Sequence, residues 1–369
     1  MVIKKAYGCY IEDQQGNKFI DTSMGSGAQI IGHNNKLIKK ITKQVKKGTI
    51  YTIPNSHTEK VNFYLKKYIN PDFDEKYIFC NSGTEANMRA IRLARAYTGK
   101  EKIARFHGGW HGGLDGLIES KGVPTATQNL NLTLPYNDSQ CFKKITSDLA
   151  AVIIEPTQGS NPRDDIAPFL KNLENKCREQ GVLLILDEVM TGFRLSARGG
   201  RGVFGVNPDI ITYGKVLGGG FPIGVLGGKS DIIKTSDVFY GGTFSANPLT
   251  MFAAKSILKT IIDNKYIKYS QLNNLAEQFR NELNEFFTTY KKPISITGCG
   301  AINRIIFTDK FIKNRKDRDR FEDMNLQQKF YNKLKDNGVF INTNGIIHFS
   351  MSHTSKVIDD IIKAITKST

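Results

Sequence analysis

A chain of 369 residues, 40% hydrophobic and 24% charged, can bury a large core, has room for about two domains, and is too apolar to be disordered. No apolar run approaches the ~20 residues of a membrane span, and the opening Met1-Val2-Ile3-Lys4-Lys5 lacks the long apolar block of a secretory signal, so a cytoplasmic enzyme with no membrane partner is expected. The formal charge of +17, from 52 Lys+Arg against 35 Asp+Glu, makes a field that draws in anions, but no basic stripe with interleaved aromatics accompanies it, which argues against a nucleic-acid partner.

Tyr10 to Asp21 reads as a β-hairpin, two short apolar runs around Gln15-Gly16-Asn17. A glycine-rich link, Met24-Gly25-Ser26-Gly27, leads to a helix at about 35–47, where the apolar positions 37, 38 and 41 have helical spacing and the lysines form a solvated face. This opening has too little core to stand alone and is expected to fold onto another part of the chain. The five cysteines, Cys9, Cys80, Cys141, Cys177 and Cys299, are scattered with no Cys-x-x-Cys spacing, which predicts reduced structural thiols.

Strand-like Tyr77-Ile78-Phe79-Cys80 runs into Asn81-Ser82-Gly83-Thr84-Glu85-Ala86-Asn87. Ser82 and Glu85 have the capping-box spacing, Ala86, Ala90, Leu93 and Tyr97 recur at helical intervals, and Gly99 closes the helix. The turn offers unpaired backbone N–H groups, small side chains and two hydroxyls; it is either a phosphate site or a plain helix cap. Next, Arg105-Phe106-His107-Gly108-Gly109-Trp110-His111-Gly112-Gly113 sets the only tryptophan among glycines, where the backbone can bend sharply and lay an aromatic face on a flat ligand. His107 and His111 are four apart, but the glycines oppose a helix and no Glu completes a His-Glu-x-x-His motif, so no metal is expected.

Ala150 to Ile154 is a buried-strand run that ends at Glu155; a helix over 171–179 follows and Gly181 stops it. Val182-Leu183-Leu184-Ile185-Leu186 is a second unbroken apolar run, ending in Asp187, and Ile210-Ile211-Thr212-Tyr213 delivers Lys215 into a glycine-rich turn. Strands alternating with helices across roughly 77–230 predict a largely parallel α/β sheet. Cys80, Glu155, Asp187 and Tyr213 then mark strand ends on one rim, where ligands bind in such sheets. The run Gly218 to Gly224 is too irregular for helix or strand, and with no Gly-Lys-Ser/Thr it is not a nucleotide P-loop.

Gly241-Gly242-Thr243-Phe244-Ser245-Ala246-Asn247-Pro248 is a second hydroxyl-rich turn, before a helix from Leu249 to about Ile262. The composition then shifts to a long amphipathic helix at about 267–289, strand-like Ile294-Ser295-Ile296 and Ile302 to Phe307, and a charged stretch, Lys313 to Arg320, read as a solvated loop or helix start. A strand pair, Val339 to Ile341 and Ile346 to Phe349, precedes a terminal helix. A boundary near 256 is expected to separate a large domain, 48–256, from a small one made of 1–47 and 257–369.

An amine, an acid, a flat stacking partner and a phosphate cradle together meet the needs of pyridoxal phosphate, whose aldehyde takes a lysine as a Schiff base and whose ring nitrogen pairs with an acid. Asn81-Ser82-Gly83-Thr84-Glu85-Ala86, Trp110-His111-Gly112, Asp187 to Arg194, Gly214 to Gly220 and Gly242 to Pro248 resemble, in order, the motifs of class III pyridoxal-phosphate aminotransferases. Within that family the likeness is strongest to the glutamate-1-semialdehyde aminomutase subgroup, and Ser350-Met351-Ser352-His353-Thr354 resembles it too.

The resemblance implies fold type I, a large domain with a mostly parallel sheet flanked by helices plus a smaller α+β domain. It implies that Lys215 is the Schiff-base lysine and proton shuttle, that Asp187 faces the pyridine nitrogen, and that Trp110 and Val189 lie on opposite ring faces with His111 beside them. Ser82, Gly83 and Thr84 would hold the phosphate, joined by Thr243 from the other subunit of a homodimer, and Glu155 would lie near the cofactor edge. The aminomutase subgroup grips its substrate with an arginine close to the amino terminus, whereas no arginine here precedes Arg89, which favours a transaminase over the aminomutase. The arginines of the 194–201 loop, Arg198 and Arg201 above all, are either grips for an anionic substrate or solvent-exposed.

Overall fold

The computed structural model describes residues 1–33, 36–51, 53–72, 77–263 and 268–369, with residues 36–39 described by their backbone alone. The chain divides into two compact units: Met1–Lys40, Gly159–Asp164 and Asn264–Thr369 form one, Ile41–Gln158 and Asp165–Asp263 the other. Where the expected boundaries lay at 47/48 and 256/257, this division falls at 40/41 and 263/264 and assigns Gly159–Asp164 to the first unit.

The larger unit is built on seven strands: β1 Ile78–Cys80, β2 Lys102–Phe106, β3 Asn131–Leu134, β4 Leu149–Ile154, β5 Leu183–Asp187, β6 Ile210–Tyr213 and β7 Gly224–Gly228. They lie in the order β1-β7-β6-β5-β4-β2-β3. Only β7 is antiparallel to its neighbours; the other pairs are parallel. The unbroken apolar runs of β4 and β5 are buried along their whole length, as strands inside a parallel sheet must be. Their register pairs Ile154 with Leu186, and Asp187 with Thr212 of β6, so Glu155, Asp187 and the Gly214-Lys215 turn emerge at one edge.

Strand β7 lies hidden in a glycine-rich sequence, Gly224-Val225-Leu226-Gly227-Gly228. A Cβ added at Gly224 would lie 1.9 Å from the Ser82 carbonyl oxygen, and one at Gly227 2.4 Å from the Tyr77 ring. Close packing therefore requires the glycines that remove the strand signal.

Helix Gly83–Thr98 follows β1 as expected. Ser82 caps it by accepting from the Glu85 N–H at 3.1 Å, Glu85 reaches back to the Asn81 N–H at 2.6 Å, and Gly99 ends it at φ 68°. Its buried Ala90, Ile91, Leu93 and Ala94 join Ile103, Ala151, Ile153, Ile185 and Ile210 in one apolar core. The predicted helix at 171–179 is Ala167–Gln180, and that at 249–262 is Pro248–Ile262.

In the smaller unit the predicted hairpin forms from Tyr10–Asp13 and Lys18–Asp21, with Ile3–Tyr7 beside it, and Val339–Phe340 pairs parallel to its last strand. A second sheet joins Ser295–Cys299, Ile302–Ile306 and Ile346–His348. Helix Tyr269–Thr289 buries Leu272, Ala276, Phe279, Leu283 and Phe287; Ile267, where it was expected to begin, lies outside the described residues, as does Asn35 of the lysine-faced helix, observed over Lys36–Val45. The charged stretch forms helix Arg315–Phe321, and Arg318 is buried rather than solvated, donating to the Ser160 carbonyl at 2.7 Å. Among the described residues no helix is long and apolar enough to cross a membrane.

One polar network braces the larger unit. Asn70, fully buried, donates to the hydroxyls of Tyr77 and Tyr213 at 2.9 Å each, and its Oδ1 accepts from Arg201 Nη1 at 2.8 Å. Truncating Asn70 leaves a guanidinium and two hydroxyls short of partners in a dry interior. Asn70→Ala should cost about 3 kcal/mol or more of stability in urea unfolding followed by circular dichroism. A midpoint unchanged from wild type would contradict this account.

Candidate active site

Asp187 closes β5 and is 2% exposed. Its Oδ2 accepts from Asn87 Nδ2 at 2.8 Å and His111 Nδ1 at 2.7 Å, and its Oδ1 from the Val189 N–H at 2.9 Å. Because the carboxylate only accepts, the imidazole proton sits on Nδ1. The opposite nitrogen, His111 Nε2, is buried and has no hydrogen-bond partner among the described residues. Asn87, in the helix after β1, also donates to the His111 carbonyl at 3.0 Å and accepts from Thr212 Oγ1 of β6 at 2.7 Å. One amide thus ties a helix, a strand and the tryptophan loop to the same carboxylate.

Lys215 follows β6 with φ 39°, a left-handed conformation that costs a non-glycine residue roughly 1–2 kcal/mol. Burial holds its ammonium below the ordinary lysine range and the Arg194 charge adds to this, while Asp187 and Glu155 pull the other way. Glu155, just past β4, is buried and accepts from the Trp110 N–H at 3.0 Å. Burial pushes its carboxyl up to about 7; the neighbouring Asp187 charge acts in the same direction, and His111 and Lys215 oppose it.

At the start of the helix after β1, Gly83 and Thr84 donate their N–H groups to no acceptor among the described residues. The walls close tightly around this turn. A Cβ at Gly83 would meet Val189 Cγ1 at 2.7 Å, and one at Gly112, which has φ 96°, would meet Thr84 Oγ1 at 2.1 Å. An amine whose proton burial weakens, a fixed carboxylate, an imidazole nitrogen without a partner and two unused helix-start amides fit the aldehyde, ring and phosphate of pyridoxal phosphate.

Two of the residues singled out from the sequence are open to solvent within one chain. Trp110 is 63% exposed, and Thr243 is exposed on a turn that Arg89 pins by donating to the Gly241 carbonyl at 2.9 Å. Arg198 and Arg201, read as either substrate grips or solvent-exposed loop residues, are engaged elsewhere. Arg201 is buried against Asn70 and Asp72, and Arg198 donates to the Ile69 carbonyl at 3.1 Å. The backbone N–H of Arg201, with Gly200 N–H and Thr191 Oγ1, instead satisfies the buried carboxylate of Glu188. Arg194, read with the other loop arginines as an anion grip or a solvent-exposed residue, is fully buried, and Asn87 and Glu188 were given no role in the sequence reading. For Asn87 a signal existed, a polar residue at helical spacing from Ala90 and Ala94 on the apolar face.

The family model described as Aminotransferase class-III matches residues 1–368. Glutamate-1-semialdehyde 2,1-aminomutase of Methanococcus vannielii is 35% identical over 387 aligned residues, covering 98% of this chain and 88% of that protein. Among solved structures, an omega-transaminase from Sphaerobacter thermophilus matches with TM-score 0.92 at 26% identity, covering 100% of this chain and 90% of the other. A transaminase with PLP bound matches with TM-score 0.89 at 25% identity, over 100% and 90% of the two chains. With a family match over almost its whole length and a seven-stranded, mostly parallel sheet of fold type I, this chain belongs to the class III aminotransferases, enzymes that depend on pyridoxal phosphate.

Proposed function

We propose that this protein is a transaminase that moves an amino group from an amino donor to a small, anionic carbonyl compound, with Lys215 as its catalytic amine and Asp187 as the partner of the cofactor ring. The observation that carries this reading is the convergence of Lys215, Asp187 and Glu155 at one sheet edge, the two carboxyl groups buried, the lysine half-buried, and all three electrostatically coupled. When bound, pyridoxal phosphate supplies an aldehyde that takes up the amino group and a ring that draws electrons from the substrate.

The protein's part is positioning and proton control. Asp187, held by Asn87, His111 and the Val189 N–H, would meet the protonated ring nitrogen from a fixed direction. The side chain of Lys215, its proton weakened by burial, would act as base and return the proton to a neighbouring carbon. Gly83 and Thr84 would hold the phosphate with their unused amides, Ser82 setting the turn, while Val189 and Trp110 would bound the two ring faces. Thr243 would complete the neighbouring site in a homodimer; its exposure, with Phe244 63% and Phe239 76% exposed nearby in sequence, supports a face that a second copy covers. With Arg198 and Arg201 engaged internally, the anionic character of the substrate rests on the +17 charge.

A second reading is favoured by the name of the relative at 35% identity: intramolecular amino transfer in glutamate 1-semialdehyde.

Lys215→Ala should erase the visible absorbance of the lysine-linked cofactor and lower turnover about a thousandfold or more; retention of either would refute the catalytic assignment. Pure holoenzyme incubated with glutamate 1-semialdehyde and no other amine should form little product if the transaminase reading holds, and complete conversion would establish the second reading instead. Because the raised Glu155 carboxyl binds its proton in the folded state between its ordinary 4.5 and about 7, stability should fall as pH rises through that window. In cofactor-free Glu155→Gln the fall between pH 5 and 8 should be smaller, by up to about 3 kcal/mol; equal falls in both proteins would exclude a raised Glu155.

A further inference from the structure

The smaller unit contains a cavity of about 630 Å³, within the range of small-molecule sites, walled in part by Arg163, Lys291, Lys292 and Lys310. Asp309 is the one carboxylate among its lining residues. We propose that this cavity is a binding site for a small polyanion, a polycarboxylate or a phosphorylated metabolite, separate from the cofactor chemistry of the larger unit.

The basic residues that line the cavity come from separate segments. Lys291 and Lys292 stand just past the end of helix Tyr269–Thr289, where a helix terminus alone would favour positive charge. That does not account for Arg163 or Lys310, which come from elsewhere in the chain. Arg163 is held in place: its Nη1 donates to the Ile312 carbonyl at 2.8 Å and its guanidinium lies 4.8 Å from the Phe311 ring centroid. Lys292 Nζ lies 3.3 Å from the Thr369 carbonyl oxygen, and Lys310 Nζ 4.5 Å from the Phe321 ring centroid. Among the described residues no Asp or Glu side chain forms an ion pair with Lys291, Lys292 or Lys310, and the four basic residues outnumber Asp309 in the lining.

A second, independent feature marks the same wall. The hydroxyl oxygen of Thr297 is buried and makes no hydrogen bond among the described residues, although it belongs to a residue that lines the cavity. Buried polar atoms are nearly always satisfied, and an ordered water or a ligand group would satisfy this one. Phe287 and Ile306, both buried, supply an apolar floor of the kind that surrounds the few polar contacts in ligand sites. A ligand with two or more negative charges would engage basic residues from separate segments at once; a monovalent anion would meet one at a time.

Isothermal titration of the cofactor-saturated enzyme, its phosphate cradle thereby filled, with citrate and with pyrophosphate at low ionic strength tests the site. Saturable binding of one or both, absent for acetate, is expected; binding of one alone identifies the acidic group. Arg163→Met and Lys310→Met should each weaken binding about tenfold, and Thr297→Val about threefold, with cofactor absorbance unchanged. Lys310 is exposed, so its variant remains informative should Arg163→Met misfold. Absence of saturable binding by both probes, or affinity unchanged in Lys310→Met and Thr297→Val together, would overturn the proposal.

Discussion

A carboxylate removed from water at the end of a buried strand sets the geometry around it. Asp187 can be accommodated there because three donors meet its oxygens, and each donor comes from a different piece of backbone: a helix, a glycine loop and the turn that follows the strand itself. Satisfying that one group requires Asn87, His111 and Val189 to converge, which brings the helix start at Gly83 and the tryptophan loop to the same place. The candidate site is in this sense a by-product of solvating a buried charge with protein.

Close approach of these pieces depends on missing side chains. Val189 occupies the space a Cβ on Gly83 would need, Thr84 that of Gly112, and the Ser82 carbonyl that of Gly224. The turn bearing Lys215 carries strain as well, since its φ of 39° is unfavourable for lysine and persists only because surrounding structure fixes it. Behind the site, Glu188 and Arg201 secure the 188–201 loop through buried contacts, so side chains that look available for an anionic ligand belong to the scaffold.

The electrostatics follow from burial more than from pairing. Glu155 is pushed up and Lys215 down by the same loss of water, while their mutual attraction works against both shifts. Two ionisable groups just past strands that flank β5 are thus moved in opposite directions, each toward its neutral form.

By itself the sequence determined the strands whose patterns are unambiguous and the motifs whose chemistry is local. The apolar runs before Glu155 and Asp187, the Ser82 cap with its Gly99 stop, and the lysine placed after Tyr213 are set by nearest-neighbour physics, and so they were legible. Only the tertiary structure decided what depends on neighbours remote in the chain. β7 is a strand because Ser82 and Tyr77 pack against its glycines, which erase the alternation by which strands are recognised. Arg201 is structural because Asn70 and Asp72 reach it from more than a hundred residues away, and Asn87 matters because Asp187 and Thr212 arrive beside it. Polar partnerships of this kind are made by folding, and one-dimensional spacing carries no record of them.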